Sequence, residues 1–362
     1  MTATDGGADQ ARAPQVPAAG QAFEVSEALG VGPAPGVSDA PGLSDAPGVS
    51  EVPGVMVYSP SPVLTVTIER QGAVPELHLH AGGQGVWQAR MLAGLGIRAV
   101  LCTTLGGEVG RVISALVAAE AFEVRAVTIG GSSGWYVHDR FEDGRREVAG
   151  HAGGPLDRHE IDELGSLALT EGLRAGVAVF AGPTEPGLVP PSTYRRLAAD
   201  LRANGVRVVA DLAGVHLAAA LAGGVYLIKV SHDELVAAGR ARDDSLPELV
   251  AAARALRAEG AGSVVVSRAE KPAVALLDGE ELLVEAPRLE LADPRGAGDS
   301  MTAAVAAMLA RGAGLADAVR MGAAAGAVTV TRHGLGTAPA AAVAELAKRV
   351  RLISLGAQES LG

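Results

Sequence analysis

Asp293-Pro294-Arg295-Gly296-Ala297-Gly298-Asp299-Ser300 runs straight into an apolar helical stretch over 301–309. Two glycines in a loop let backbone amides approach an anion. The helix that follows adds unpaired N–H groups and about half a positive charge at its N-terminus. Asp299 falls in the first turn, where its carboxylate can take the proton of an attacking hydroxyl, a role worth about 10²- to 10⁴-fold in rate. That combination points to phosphoryl transfer. Aspartate also caps helices and glycine also turns chains, so the loop alone supports a purely structural reading as well.

Upstream of this loop, from Val55 onward, short β-branched runs alternate with helical segments. The pattern predicts an α/β fold, a mostly parallel central sheet covered by helices. Strands are expected at 98–103, 177–180, 206–210, 225–228 and 263–266. Helices are expected near 84–94, 108–119, 158–170, 191–203 and 245–258, with three more filling about 299–350. Two segments, 63–80 and 134–148, alternate apolar and polar residues as strands do, the second as a hairpin turning at Glu142-Asp143-Gly144. They predict a small sheet standing off the main one as a lid that excludes water from a reactive phosphate.

Ahead of this region, 1–54 reads as a disordered tail rich in Ala, Gly and Pro. Its imperfect hexapeptide repeat begins at Pro35, Pro41 and Pro47, and proline every sixth residue prevents a helix. The domain is expected over 55–356, with 357–362 as a short C-terminal tail. The whole chain of 362 residues carries a formal charge of -11, which argues against nucleic acid or an anionic membrane as the main partner. The tail holds seven acidic residues against Arg12, so the remainder is only mildly acidic. The single cysteine, Cys102, excludes an intramolecular disulfide framework and suits a reducing compartment. No run of about 18 apolar residues and no basic leader into an apolar segment is seen, so a cytoplasmic location is expected.

A P-loop is excluded because the three lysines, Lys229, Lys271 and Lys348, follow Ile, Glu and Ala rather than glycine. The G-x-G at Gly83 and Gly85 lacks the third glycine of a dinucleotide fingerprint. His78 and His80 share one strand face, but no second cluster has ligand spacing, and no structural zinc is expected.

Several motifs occur together in order. Ala81-Gly-Gly-Gln-Gly-Val-Trp-Gln-Ala-Arg90 is followed by Leu105-Gly-Gly-Glu-Val-Gly110, Phe180-Ala-Gly-Pro, Val209-Ala-Asp211-Leu-Ala-Gly214 and Leu227-Ile-Lys229-Val-Ser-His-Asp-Glu234. With Asp293 to Ser300 at the end, the chain resembles the ribokinase-like PfkB family of carbohydrate kinases over about 55–345. Within that family it is most similar to the 1-phosphofructokinase and tagatose-6-phosphate kinase group.

The resemblance implies a three-layer α/β/α fold with a β lid and a kinase dependent on ATP and Mg²⁺. It implies that Asp299 is the base and that Gly296, Ala297 and Gly298 form the anion hole for the γ-phosphate. Ser267 and Lys229 would contact the nucleotide, with Ser231 where the family has asparagine. Gly334, in the segment 326–336, would flank the adenine. Glu234 would help hold hydrated Mg²⁺. As bland readings, Lys229 is a strand-end charge and Glu234 a solvated helix residue.

On the acceptor side the resemblance implies contacts from Gly82, Gly83, Gln84, Trp87, Arg90 and Thr65, and three of these depart from the family. Thr65 stands in place of an aspartate, Gln84 in place of a lysine and Trp87 in place of an asparagine. Glutamine cannot supply lysine's charge to a substrate phosphate, although Arg90, Arg140 or an arginine from a partner's lid could. Trp87 either stacks on a sugar or fills the core. The expected function is an ATP-dependent kinase for a hydroxyl of a sugar or sugar phosphate, with a homodimer through the lid. The alternatives are a ligand-binding or regulatory protein that has lost turnover, and a kinase for a nucleoside or other unphosphorylated acceptor.

Overall fold

The computed structural model describes residues 54–71, 74–141, 145–332 and 334–356. The expected tails over 1–53 and 357–362, and the hairpin turn at 142–144, lie outside the described residues.

The described residues begin with β1 (Gly54–Tyr58), then the hairpin β2 (Val63–Gln71) and β3 (Val74–Gly82), helix α1 (Gln84–Gly94), β4 (Arg98–Gly106), α2 (Gly107–Val117) and β5 (Glu123–Ile129). A second hairpin, β6 (Gly134–Arg140) and β7 (Arg146–His151), leads into α3 (Arg158–Ala175), β8 (Val177–Ala181), α4 (Pro191–Ala203), β9 (Arg207–Asp211) and α5 (Gly214–Gly223). Next come β10 (Val225–Ser231), α6 (His232–Ala237), α7 (Leu246–Ala258), β11 (Ala261–Arg268), β12 (Lys271–Leu277) and β13 (Glu280–Glu285). The chain closes with α8 (Ala297–Ala310), α9 (Leu315–Thr329), α10 (Ala340–Ala347) and β14 (Arg351–Ser354).

Local chemistry sets several of these boundaries. Asp157 and Glu160 form a reciprocal capping box at the start of α3, which ends on Gly176 in the left-handed region. Pro191 opens α4, where its missing N–H costs nothing. No described helix is long and apolar enough to cross a membrane.

The main sheet has ten strands in the order β14-β13-β12-β11-β10-β9-β8-β1-β4-β5. It is parallel from β11 to β5, and β12, β13 and β14 add an antiparallel edge. Successive residues of a strand face opposite sides, so the parallel strands feed two cores. Val57, Val179, Val209 and Leu227 pack toward the side of α1, α8 and α9, while Met56, Phe180, Ala210 and Ile228 pack toward α3, α4 and α7. Strands buried on both faces read as continuous apolar runs, which is how this sheet is recognised in the sequence.

The lid is a separate four-stranded sheet in the order β3-β2-β6-β7. Its β2 pairs antiparallel with β3 and parallel with β6, and β6 pairs antiparallel with β7. The expected tail ends at 54, but Gly54 already belongs to β1, a central strand of the main sheet. The loop between β11 and β12 turns without glycine, leaving Ala269 at a φ of 48°. Left-handed backbone costs an alanine about 1 kcal/mol or more. Ala269→Gly is therefore expected to raise stability by about 0.5 kcal/mol, after the extra unfolded-state entropy of glycine, and thermal melting checks it.

Candidate active site

Strands β8, β9, β10 and β11 end at one level, where a parallel sheet commonly binds ligands. Ala181 lies beside Asp211, Asp211 beside Lys229, and Ser231 beside Ser267. Asp211 shares the strand face of Val209, and Lys229 that of Leu227, so both side chains point toward α8. A charge at the end of a buried strand is thereby delivered beneath the glycine loop.

That loop is braced from within. Asp293 accepts the backbone N–H of Arg295 at 3.0 Å and its Nε at 2.9 Å. Gly296 follows with φ 70°, a conformation glycine adopts without strain, and α8 begins at Ala297. Gly298 sits directly over the ammonium: a methyl at its α-carbon would lie 2.4 Å from Lys229 Nζ. Gly298→Ala must displace that ammonium and is expected to lower kcat about 10²-fold, the scale of a 1 Å misplacement. Gly94→Ala, which meets nothing within 4 Å, is the control for the same assay.

Under the loop five side chains are buried together. Lys229 Nζ donates to both oxygens of Asp211, at 3.0 and 3.2 Å. Thr302, one turn beyond Gly298, places its hydroxyl 2.9 Å from Asp211 and 3.0 Å from the Gly298 carbonyl. Asp299 is only 9% exposed, and Gln88 Nε2 donates to its Oδ1 at 3.4 Å.

The electrostatics follow from this crowding. Burial pushes the Asp299 carboxyl up, Asp211 and Glu234 push it further, and Lys229 and a hydrogen bond from Gln84 oppose them, leaving it at about 7. A buried carboxylate poised near neutrality has the acidity expected of a general base. For Lys229 burial would favour the neutral amine, but Asp211, Asp299 and Glu234 outweigh it and hold the ammonium above its ordinary value.

The helix N-terminus, the glycine amides and an ammonium beneath them form a cradle suited to a phosphate. On the expected nucleotide side, Ser231 caps α6 through a capping box in which Glu234 Oε2 accepts the Ser231 N–H at 2.7 Å and its hydroxyl lies 2.9 Å away. Glu234 is therefore neither fully solvated nor part of a cage. No group of three or more His, Cys, Asp or Glu is arranged to hold a metal among the described residues. Magnesium bound mainly through phosphate oxygens and water needs only one or two carboxylates, and Glu234 can be one. Ser267 pairs with Ser231 across the strands, and Gly334 lies in a turn closed by Thr337 Oγ1 at 2.7 Å.

On the acceptor side Thr65, Gly82 and Trp87 do meet, since Thr65 Oγ1 and Trp87 Nε1 both lie within contact of Gly82. Thr65, His80 and Tyr136 share one rung of the lid, and Thr67, His78 and His138 the next. Tyr136 and His138 meet edge to face at 4.6 Å. Gln84 turns inward, its Oε1 accepting the Gly182 N–H at 2.8 Å.

Arg90 does not face this pocket as a free cation. Its guanidinium is held by Glu120 and donates to the Leu335 carbonyl at 3.0 Å, so it ties α1 to the loop that packs on Gly296. Arg140 is likewise paired with Glu69 at 2.9 Å. The two candidates within this chain for replacing the missing lysine charge are thus engaged by carboxylates.

Sequence reasoning assigns no role to Asp211, Thr302 or Gln88. Asp211 carries a signal, a lone acid closing the apolar run Val208-Val209-Ala210. Thr302 and Gln88 carry none, because only the packing of α8 on β9 and α1 brings them to the site.

The family model described as "pfkB family carbohydrate kinase" matches residues 60–342. The 1-phosphofructokinase of Bacillus subtilis (strain 168) is 27% identical over 258 residues, 71% of this chain and 84% of that protein. The ATP-dependent 6-phosphofructokinase isozyme 2 of Escherichia coli (strain K12) is 30% identical over 257 residues, 70% of this chain and 82% of that protein. Among solved structures, the tetrameric inhibited form of phosphofructokinase-2 from Escherichia coli superposes with a TM-score of 0.72 at 25% identity, covering 82% of this chain and 98% of that one.

Proposed function

Because the chain belongs to the pfkB family of carbohydrate kinases, we propose that it transfers the γ-phosphate of ATP to a hydroxyl of a sugar or sugar phosphate, with Asp299 as the base. The observation that carries this reading is the buried Asp299 in the first turn of α8, next to Gly298, whose α-carbon lies over the Lys229 ammonium. The acceptor hydroxyl gives its proton to Asp299 as its oxygen bonds to the γ-phosphorus, and the bond to the β–γ bridging oxygen breaks with its electrons leaving on ADP. The amides of Gly296, Ala297 and Gly298 and the Lys229 ammonium stabilise the charge on the transferring group. Ser231, Ser267 and Gly334 line the nucleotide side, and Glu234 supplies the carboxylate for Mg²⁺. Thr65, Gly82, Gly83 and Trp87 receive the acceptor under the lid. A cytoplasmic location and a homodimer through the lid belong to this proposal and rest on composition and on the likeness to related kinases.

A second reading, an acceptor without its own phosphate, is favoured by one set of observations. Gln84 brings no charge, and Arg90 and Arg140 are engaged by Glu120 and Glu69. The experiment is ADP release over a panel of sugar phosphates, free sugars and nucleosides. Turnover on a sugar or sugar phosphate supports the kinase, and inhibition by inorganic phosphate marks a phosphate-binding acceptor pocket. Tight acceptor binding with no turnover on any member would replace the kinase by a binding protein.

A further inference from the structure

We propose that Gln88, in the second turn of α1, is a positioning residue for Asp299 that serves both forms of the base, donating to the carboxylate and accepting from the acid. The inference rests on the reading of Asp299 as the base. Gln88 has no solvent exposure, and its Nε2 lies 3.4 Å from Asp299 Oδ1. Its Oε1 is buried without a hydrogen-bond partner. An unpaired buried acceptor is costly and calls for a donor, and the adjacent group that acquires an O–H is Asp299 itself.

The contrast with Gln84, one turn earlier on the same helix, is instructive. Gln84 Oε1 is fixed by the Gly182 N–H at 2.8 Å, which leaves only its amide nitrogen for Asp299. Gln88 has no such anchor. Rotation of its terminal amide exchanges donor for acceptor without moving the chain. When the acceptor hydroxyl loses its proton to Asp299, the carboxylate becomes an acid in a site with little access to water. Gln88 then supplies the oxygen that takes the new O–H, so the proton can be held during transfer. The charged groups facing Asp299 are Asp211 from β9, Lys229 from β10 and Glu234 from α6.

The test is the pH dependence of kcat/KM and kcat for the full chain, with Mg²⁺, ATP and the best acceptor of the panel. Gln88→Met keeps the length and removes both polar atoms. It is expected to raise the acid limb by about 0.5–1 pH unit and to lower kcat at pH 8 about 3- to 10-fold, with KM for ATP unchanged. Gln88→Glu, which makes two buried carboxyls share a proton, should move the limb up further. A Gln88→Met limb that superimposes on the wild type, even with lower activity, would assign Gln88 to core packing and overturn the proposal. Should that variant fail to fold, an unmoved limb in Gln88→Glu overturns it equally. If Asp299→Asn keeps full activity, the base assignment itself is wrong; if Asp299→Asn is inactive and the Gln88 profiles are unchanged, only the role of Gln88 falls.

Discussion

Asp299→Asn is expected to lower kcat by about 10²- to 10⁴-fold while leaving KM for ATP within about twofold, because the change removes the proton acceptor and keeps the shape of the site. The wild-type enzyme should lose kcat/KM as pH falls through about 7, the value to which burial, Asp211 and Glu234 bring the Asp299 carboxyl. The same shift has a consequence for stability. A carboxyl whose folded pKa is raised stabilises the fold fully below its unfolded value, about 4, and loses that contribution as pH rises through about 7. At pH 8 the ionised Asp299 is thus a burden to the fold, and Asp299→Asn should melt at a higher temperature than the wild type. Near pH 4, where both side chains are neutral, the two should melt together. An inactive variant that is more stable at pH 8 is the signature of a charge kept for chemistry.

Lys229→Met should produce the largest loss of stability. Lys229 is 7% exposed and Asp211 3%, and the ammonium is the cation between Asp211 and Asp299. Breaking a buried pair from one side typically costs about 3–5 kcal/mol, because the remaining charge is left without its partner. With Lys229 gone, the stabilising influence on ionised Asp299 is lost and its acidity falls further. Activity should then be absent at neutral pH. Urea unfolding with and without the substitution reads the first effect, and a pH–rate profile the second. Thr302→Val, which removes one hydrogen bond to Asp211 at 2.9 Å, provides the milder comparison within the same network.

The sequence carried the fold where period and punctuation agree. Helices α1 and α4 fall at 84–94 and 191–203, as their apolar spacing and their flanking glycine and proline indicate. The three terminal helices and the lid strands were also readable. Other elements hid for physical reasons. Helix α5 is apolar nearly all round, so it lacks the amphipathic stripe that marks a surface helix. Strand β12 follows a turn made with Ala269 instead of glycine, so no turn signal announces it, and the Asp278-Gly279 turn that joins it to β13 is the one mark this hairpin leaves in the sequence.

The site divides along the same line. The loop from Gly296 to Asp299 is contiguous, and both its glycine amides and its carboxylate are visible in eight residues. The network beneath it joins Asp211, Lys229 and Thr302 across 18 and 91 positions, a relation set by strand register and helix packing alone. Arg90 shows the converse. A cation inside an acceptor-side motif suggests a ligand contact, but Glu120 and the Leu335 carbonyl claim it for the architecture.

The central claim is that this chain moves the γ-phosphate of ATP onto a sugar hydroxyl through Asp299. ³¹P NMR of ATP with the best acceptor, in the presence of the wild type and of Asp299→Asn, tests it most directly. The account predicts a phosphate-ester resonance coupled to the acceptor's protons, formed one for one with ADP by the wild type and suppressed at least about 10²-fold in the variant. Equal rates from the two proteins, or a γ-phosphorus recovered only as inorganic phosphate, would contradict it.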